Sequence, residues 1–271
     1  MLKHIIVFIL FFNFIIYSND NVPGVCERCH SHNDYLGNNP LFSAINKQYK
    51  SIEVDVVLHD NLPYVAHHKW LKKKNKFIDN MYLDNLYQIY IDNDGWIYNE
   101  GNDLILLIDI KTSAYDTYKV IEKILKNYKP MLSYVENDSF FQGPVTVILS
   151  GNKPDKNHII NSQKRYVFID GRISDLGKNI SRNLMPLISI DWKKEFKWKA
   201  RGKITKEEST YLDELVYKAH LEKKKIRFWA SPDNELSWKT LYNSGVDLIN
   251  TDKIIKLYDF MKKNESWRTT N

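Results

Sequence analysis

Ser51-Ile52-Glu53-Val54-Asp55-Val56 alternates apolar and acidic side chains, which is the period of a strand. Residues two apart on a strand share a face, so Glu53 and Asp55 project together. Carboxylates held side by side repel unless positive charge sits between them. Upstream lies His30-Ser31-His32-Asn33-Asp34-Tyr35, and downstream Leu62-Pro63-Tyr64-Val65-Ala66-His67-His68. With histidines on both sides of the acidic pair, a divalent cation is the economical partner for it.

Working outward, Leu104-Ile105-Leu106-Leu107-Ile108-Asp109-Ile110 is apolar on both faces, as a buried parallel strand would be. Strands are expected at Val25, Ile52, Leu104, Val145, Tyr166, Leu187, Ile226 and Val246. Helical periodicity occurs at Tyr115 to Tyr128, Glu207 to Lys223, Glu235 to Asn243 and Lys253 to Lys262. Eight strands separated by helices imply parallel pairing through crossovers and a closed (β/α)8 TIM barrel, with irregular or missing helices in places. In such barrels the working residues stand at the C-terminal ends of the strands. Here those ends carry His30, Glu53 with Asp55, Asp109 with Lys111, Ser150, Asp170, Asp191, Trp229 and Asn250 with Asp252. Asp170, Asp191 and Asp252 are read as helix caps or turn openers. Glu53, Asp55 and Asp109 are not, because three acids within apolar strands are costly to bury without a cation.

The chain has 271 residues, 39 Lys and Arg against 33 Asp and Glu, and a net charge of +6. The densest basic run is Lys72-Lys73-Lys74. This mild excess favours anionic partners in general, but zinc-finger spacing and a basic stripe interleaved with aromatics are both missing, so nucleic acid is not expected. Lys3 and His4 precede an apolar run from Ile5 to Tyr17, after which Ser18-Asn19-Asp20-Asn21 is polar. Residues 1–18 therefore read as a secretory signal peptide, with an uncleaved membrane anchor as the alternative, and residues 19–271 as one domain. The product is expected to be secreted or periplasmic and monomeric.

Cys26 and Cys29 are the only cysteines. In an exported protein they can close a tight disulfide. With His30 they also spell the c-type haem attachment pattern, a reading that leaves the carboxylates downstream unexplained.

Taken together, the His30–Tyr35 string, Glu53-x-Asp55, Val65-Ala66-His67, Asp109-Ile110-Lys111 and the closing Gly245–Asp252 segment resemble the phospholipase-C-like phosphodiesterase superfamily. The match is nearest to its glycerophosphodiester phosphodiesterase branch, and especially to the fungal altered-inheritance-of-mitochondria group and its bacterial relatives. The resemblance spans residues 25–262 and implies a phosphoric diester hydrolase with one divalent metal ion, Mg2+ or Ca2+. Carried over by position, it makes Glu53, Asp55 and Asp109 the metal ligands and His67 one catalytic histidine, the other being His30 or His32. Lys111 would contact a phosphate oxygen, Trp229 would form an apolar wall, and Asn33 would touch substrate. Asp109 stands where many relatives have glutamate; an aspartate variant is shared with spider-type sphingomyelinases D. The substrate is expected to be a glycerophosphodiester or phospholipid, with peripheral membrane contact. Alternatives are a sphingomyelinase-D-like lyase, a non-enzymatic phospholipid-binding barrel and a haem protein.

Overall fold

The computed structural model describes residues 24–264; the segment expected to be a signal peptide, residues 1–18, lies outside them. Eight parallel strands form the frame: β1 Cys26–Ser31, β2 Tyr49–His59, β3 Leu104–Ile110, β4 Val145–Gly151, β5 Val167–Gly171, β6 Leu187–Asp191, β7 Lys225–Trp229 and β8 Ile249–Thr251. Their spatial order is β7-β6-β5-β4-β3-β2-β1-β8. The ring comes round through one further parallel bridge between Arg227 and Leu248. This is the expected (β/α)8 barrel, and each of the eight strands expected from the sequence is present.

Parallel neighbours need long crossovers. The helices that supply them include α1 Ala114–Leu125, α2 Lys206–Leu221, α3 Glu235–Asn243 and α4 Ile254–Asn264. The packing face of α1 is formed by Tyr118, Ile121 and Leu125, which are buried. Ser113 precedes α1 but its side chain does not cap it, because its hydroxyl donates to Asp116 instead. Thr205 and Asn234 do cap α2 and α3, accepting from the Glu208 and Ser237 amides. The β2-to-β3 crossover carries a further helix, Asp84–Asp92, and the remaining crossovers hold only short helical turns. A small antiparallel sheet of Tyr134–Glu136, Ser139–Phe141 and Lys164–Arg165 escaped the sequence reading because its strands are only two or three residues long.

Strand register sets the depth of every side chain. Asp55 lies beside Asp109, and Asp109 beside Ser150. Along β3 the inward face reads Ile105, Leu107, Asp109. The first two join Ile148, Phe168, Leu187 and Leu248 in an apolar plug inside the barrel. Polar side chains occupy the layer above it, at the C-terminal rim. Outside the ring, a larger apolar layer packs strands against helices. Trp192 and Trp238 are nearly inaccessible packing residues and donate their indole N–H groups to the Trp198 carbonyl and Asp233.

Cys26 and Cys29 form a disulfide with both residues fully buried. That removes the haem reading: neither sulfur is free for attachment, and the His30 ring is engaged by protein groups. The bridge closes so few residues that its chain-entropy contribution is small.

Candidate active site

Glu53 and Asp55 leave the same face of β2 toward the barrel interior, and Asp109 joins them from β3. One oxygen from each of the three lies within 4.8 Å of the others. The remaining oxygens are well supplied. Tyr35 donates to Asp55 Oδ2 at 2.8 Å, and His67 Nδ1 lies 2.6 Å from the same atom. Lys111 Nζ reaches Asp109 Oδ2 at 2.9 Å and Asp55 Oδ1 at 3.2 Å. Asp109 Oδ1 is nevertheless buried without a hydrogen bond, and Asp55 Oδ1 meets only the Lys111 ammonium. Buried anionic oxygens left so are unfavourable unless a cation faces them. Three carboxylates stand against two fixed cations, Lys111 and Arg227, so the cluster keeps a net negative charge. An all-oxygen donor set of this kind fits a hard cation such as Mg2+ or Ca2+.

The charges follow from this crowding. Burial pushes the Asp109 carboxyl upward, Lys111 offsets part of the rise, and the neighbouring acids add to it. Burial alone would lower the Lys111 ammonium, but Asp109 and Asp55 outweigh it and hold it charged. Burial and Asp55 raise the Tyr35 phenol far above its ordinary range, which keeps it a donor. Gly151 makes room for the cluster: at φ +63° it suits glycine, and a Cβ there would fall 1.9 Å from Asp109 Oδ1. Gly151→Ala is therefore expected to displace Asp109 and weaken cation binding at least about tenfold, the measure of a loss near 1.4 kcal/mol, read by titration calorimetry.

Arg227 is the residue that sequence reasoning missed. It stands on the inward face of β7, 2% exposed. Its guanidinium contacts Glu53 Oε2, and it donates to Ser189 Oγ at 2.7 Å and Asn250 Oδ1 at 3.2 Å. Burial favours neutral Glu53, but Arg227 and His30 overcome that and hold its carboxyl well below the ordinary range. A visible signal was there: one arginine inside the apolar run Lys225-Ile226-Arg227-Phe228-Trp229.

The two upstream histidines part company. His30 is fully buried, and burial followed by the Arg227 charge lowers its pKa to about 4, so at neutral pH the ring is uncharged. Its Nδ1 lies 2.8 Å from Ser51 Oγ; its Nε2 lies 2.9 Å from Glu53 and 2.6 Å from Arg227. Either tautomer is satisfied there, donating to Glu53 or accepting from Arg227. His32 lies beyond the strand end and faces a cavity of about 620 Å³, which Asn33, Glu53, His67, Asp109, Lys111 and Trp229 also line. His30 does not reach that cavity. His32 Nδ1 sits 2.7 Å from Asp252 Oδ1. Burial opposes its charged form, but the Asp252 hydrogen bond and the charges of Glu53 and Asp252 prevail and raise its pKa.

Three acids read as caps differ in outcome. Asp191 does accept from the Lys193 amide at 3.1 Å. Asp252 instead engages His32. Asp170 is fully buried at the cavity, accepting from Ser150 Oγ at 2.6 Å and Arg172 at 2.8 Å; an inward-facing strand position overrides its capping preference. Asp34 is no surface turn residue either. It is buried and accepts from Ser31, Tyr82 and the Leu41 amide, so it organises the loop beneath the site. Arg172 and Lys193 complete the cationic wall of the cavity.

The AIM6-like phosphodiesterase domain model matches residues 19–170. Altered inheritance of mitochondria protein 6 of Eremothecium gossypii is 30% identical over 269 residues, covering 86% of this chain and 69% of that protein. A glycerophosphodiester phosphodiesterase from Parabacteroides distasonis superposes with a TM-score of 0.55 at 14% identity, covering 89% of this chain and 99% of that one. A Ca2+-dependent phosphatidylinositol-specific phospholipase C from Streptomyces antibioticus gives 0.58 at 9% identity, with 87% and 95% covered. At such identities the structural likeness speaks for the fold. Barrel, rim and domain match together define the class, a phosphoric diester hydrolase. Within that class, the chain belongs to the AIM6-like phosphodiesterase family.

Proposed function

We propose that the protein cleaves a glycerophosphodiester or phospholipid-like substrate, using one divalent cation held by Glu53, Asp55 and Asp109, with His32 and His67 as the proton-transfer pair. The observation that carries this reading is that both imidazoles face one cavity together with Glu53 and Asp109 of the acidic cluster, each imidazole tethered through Nδ1 to a carboxylate. Nδ1 tethering leaves Nε2 of each ring for the substrate. A bound cation would stabilise the charge that develops on the phosphoryl oxygens. Lys111, Arg172 and Lys193 draw the anionic ester into the cavity, and Trp229, 37% exposed, gives its apolar part a wall. His67 takes a proton from the attacking hydroxyl. His32, raised by its carboxylate partner, is the ring suited to deliver one to the departing alkoxide.

The attacking group is either water or a hydroxyl of the substrate next to the phosphate, which proximity favours and which yields a cyclic phosphate. Aspartate at position 109 favours a second reading, a sphingomyelinase-D-like lyase on the same residues. Product analysis on glycerophosphodiesters, lysophospholipids and sphingomyelin separates the two, and turnover of none of them in Mg2+ or Ca2+ rejects both. Cation binding is tested without activity. Mg2+ or Ca2+ at a hundredfold excess over its dissociation constant should stabilise the fold by about 2.7 kcal/mol. Asp109→Asn should abolish that thermal shift.

His32 also sets a pH limit. If the protonated ring is the acid, activity falls as pH rises through its pKa. Asp252→Asn removes one of the groups that raise that pKa, while burial and Arg227 continue to lower it. The alkaline limb of kcat/KM should therefore move to lower pH. An unmoved limb would assign the acid elsewhere.

A further inference from the structure

Directly after His67 the chain makes a compact excursion over residues 66–76. Its ends are tied by the Val65 amide donating to the Lys76 carbonyl at 2.9 Å and by a Tyr64–Phe77 bridge, the closed form of an Ω-loop. At its tip, the short turn Lys69–Leu71 holds Trp70 at 77% and Leu71 at 53% exposure. Among the other described tryptophans none is more than 37% exposed, and a tryptophan so far into solvent is uncommon. Around the tip stand Lys69, Lys72, Lys73, Lys74 and Lys76, with no acid from His67 to Ile78. Among the described residues none of these five lysines forms an ion pair; Lys72 lies only over the Tyr64 ring, at 6.0 Å. A second exposed apolar side chain, Leu36 at 71%, follows β1 at the same end of the barrel.

We propose that the 66–76 loop is a docking arm for an anionic bilayer surface. An apolar, aromatic tip inside a ring of unpaired lysines is complementary to that surface and to little else. Tryptophan settles at the headgroup level, leucine enters the acyl boundary, and lysines meet the negative surface potential. A solvated basic loop would need the lysines but not the bare tryptophan. Among the described residues no helix is long and apolar enough to cross a membrane. The arm is continuous with the cavity. Trp70 stacks on His68 with ring centroids 4.3 Å apart, and His68 meets His67 edge-on at 4.4 Å. His67 and His68 line the cavity itself. Seating the tip on a membrane thus brings the mouth of the site down to the headgroups.

The test is co-sedimentation of the purified protein with phosphatidylcholine vesicles made with and without phosphatidylglycerol. It reads no turnover, so its failure leaves the phosphodiesterase reading intact. The expected result is binding only where phosphatidylglycerol is present. It should weaken by about fivefold per lysine in Lys73→Ala/Lys74→Ala, and by a comparable factor in Trp70→Ala, at unchanged melting temperatures. Three results would overturn the proposal: no binding to the anionic vesicles, equal binding by Trp70→Ala, or displacement by RNA at matched charge, which would mark the lysines as a general polyanion site.

Discussion

Arg227→Met should destabilise the fold by about 3–5 kcal/mol, the scale expected when one partner of a buried ion pair is removed. For a domain of this size that lowers the melting temperature by on the order of 10 °C. The methionine keeps most of the volume, so the loss is electrostatic: Glu53, 3% exposed, loses the charge that chiefly keeps it ionised. The pH dependence gives the sign. In the native protein Glu53 has a depressed pKa, so its contribution is present above the unfolded-state value and is lost as pH falls through the folded one. In Arg227→Met the stranded carboxyl takes up a proton more readily. The deficit is therefore full at neutral pH and shrinks on acidification. Adding Glu53→Gln should recover much of it, since the charge no longer needs a partner. A double variant no more stable than Arg227→Met would show that packing, not charge, is what Arg227 supplies. Chemical denaturation in chelator reads both variants and the parent protein without interference from a bound cation.

The largest effect on turnover is expected from His67→Ala, about 10²–10⁴-fold in kcat, the range for a lost acid or base group. Stability should change little, because the ring is half exposed and its chief partner, Asp55, keeps Tyr35 and Lys111. His30→Ala is the informative contrast. His30 lies beneath the cavity floor between Ser51, Glu53 and Arg227, and truncation there leaves buried polar groups unpaired. It should lower the melting temperature more than His67→Ala does. If instead His30→Ala abolished turnover in a fully stable protein, the proton-transfer pair would have to be redrawn around it.

The frame was readable from the sequence because eight apolar runs at crossover spacing have few alternatives, and because acids inside such runs are conspicuous. Glu53, Asp55 and Asp109 converge because a two-residue period and parallel register leave them no other face. The choice between His30 and His32 was not readable. It depends on where β1 ends, and one strand position separates an interior side chain from a rim one. Arg227 was passed over because it has no motif around it; its meaning lies in Glu53, 174 residues away. Asp170 and Asp252 misled for the same reason. Capping preference is local, whereas Ser150 and His32 reach them from other strands and loops.

The two tethered imidazoles differ in how far apart along the chain their tethers begin. His67 and Asp55 are 12 residues apart on one hairpin, where the short strand Leu62–Val65 folds back on β2. His32 and Asp252 are 220 residues apart and meet only because β8, three residues long, lies against β1. On its other side β8 meets β7 through the Arg227–Leu248 bridge just before it and the Arg227–Asn250 hydrogen bond rather than a continuous strand ladder. Heat should open the barrel at that seam first, parting His32 from its carboxylate while the hairpin still holds His67. Inactivation would then begin before the bulk of the sheet melts.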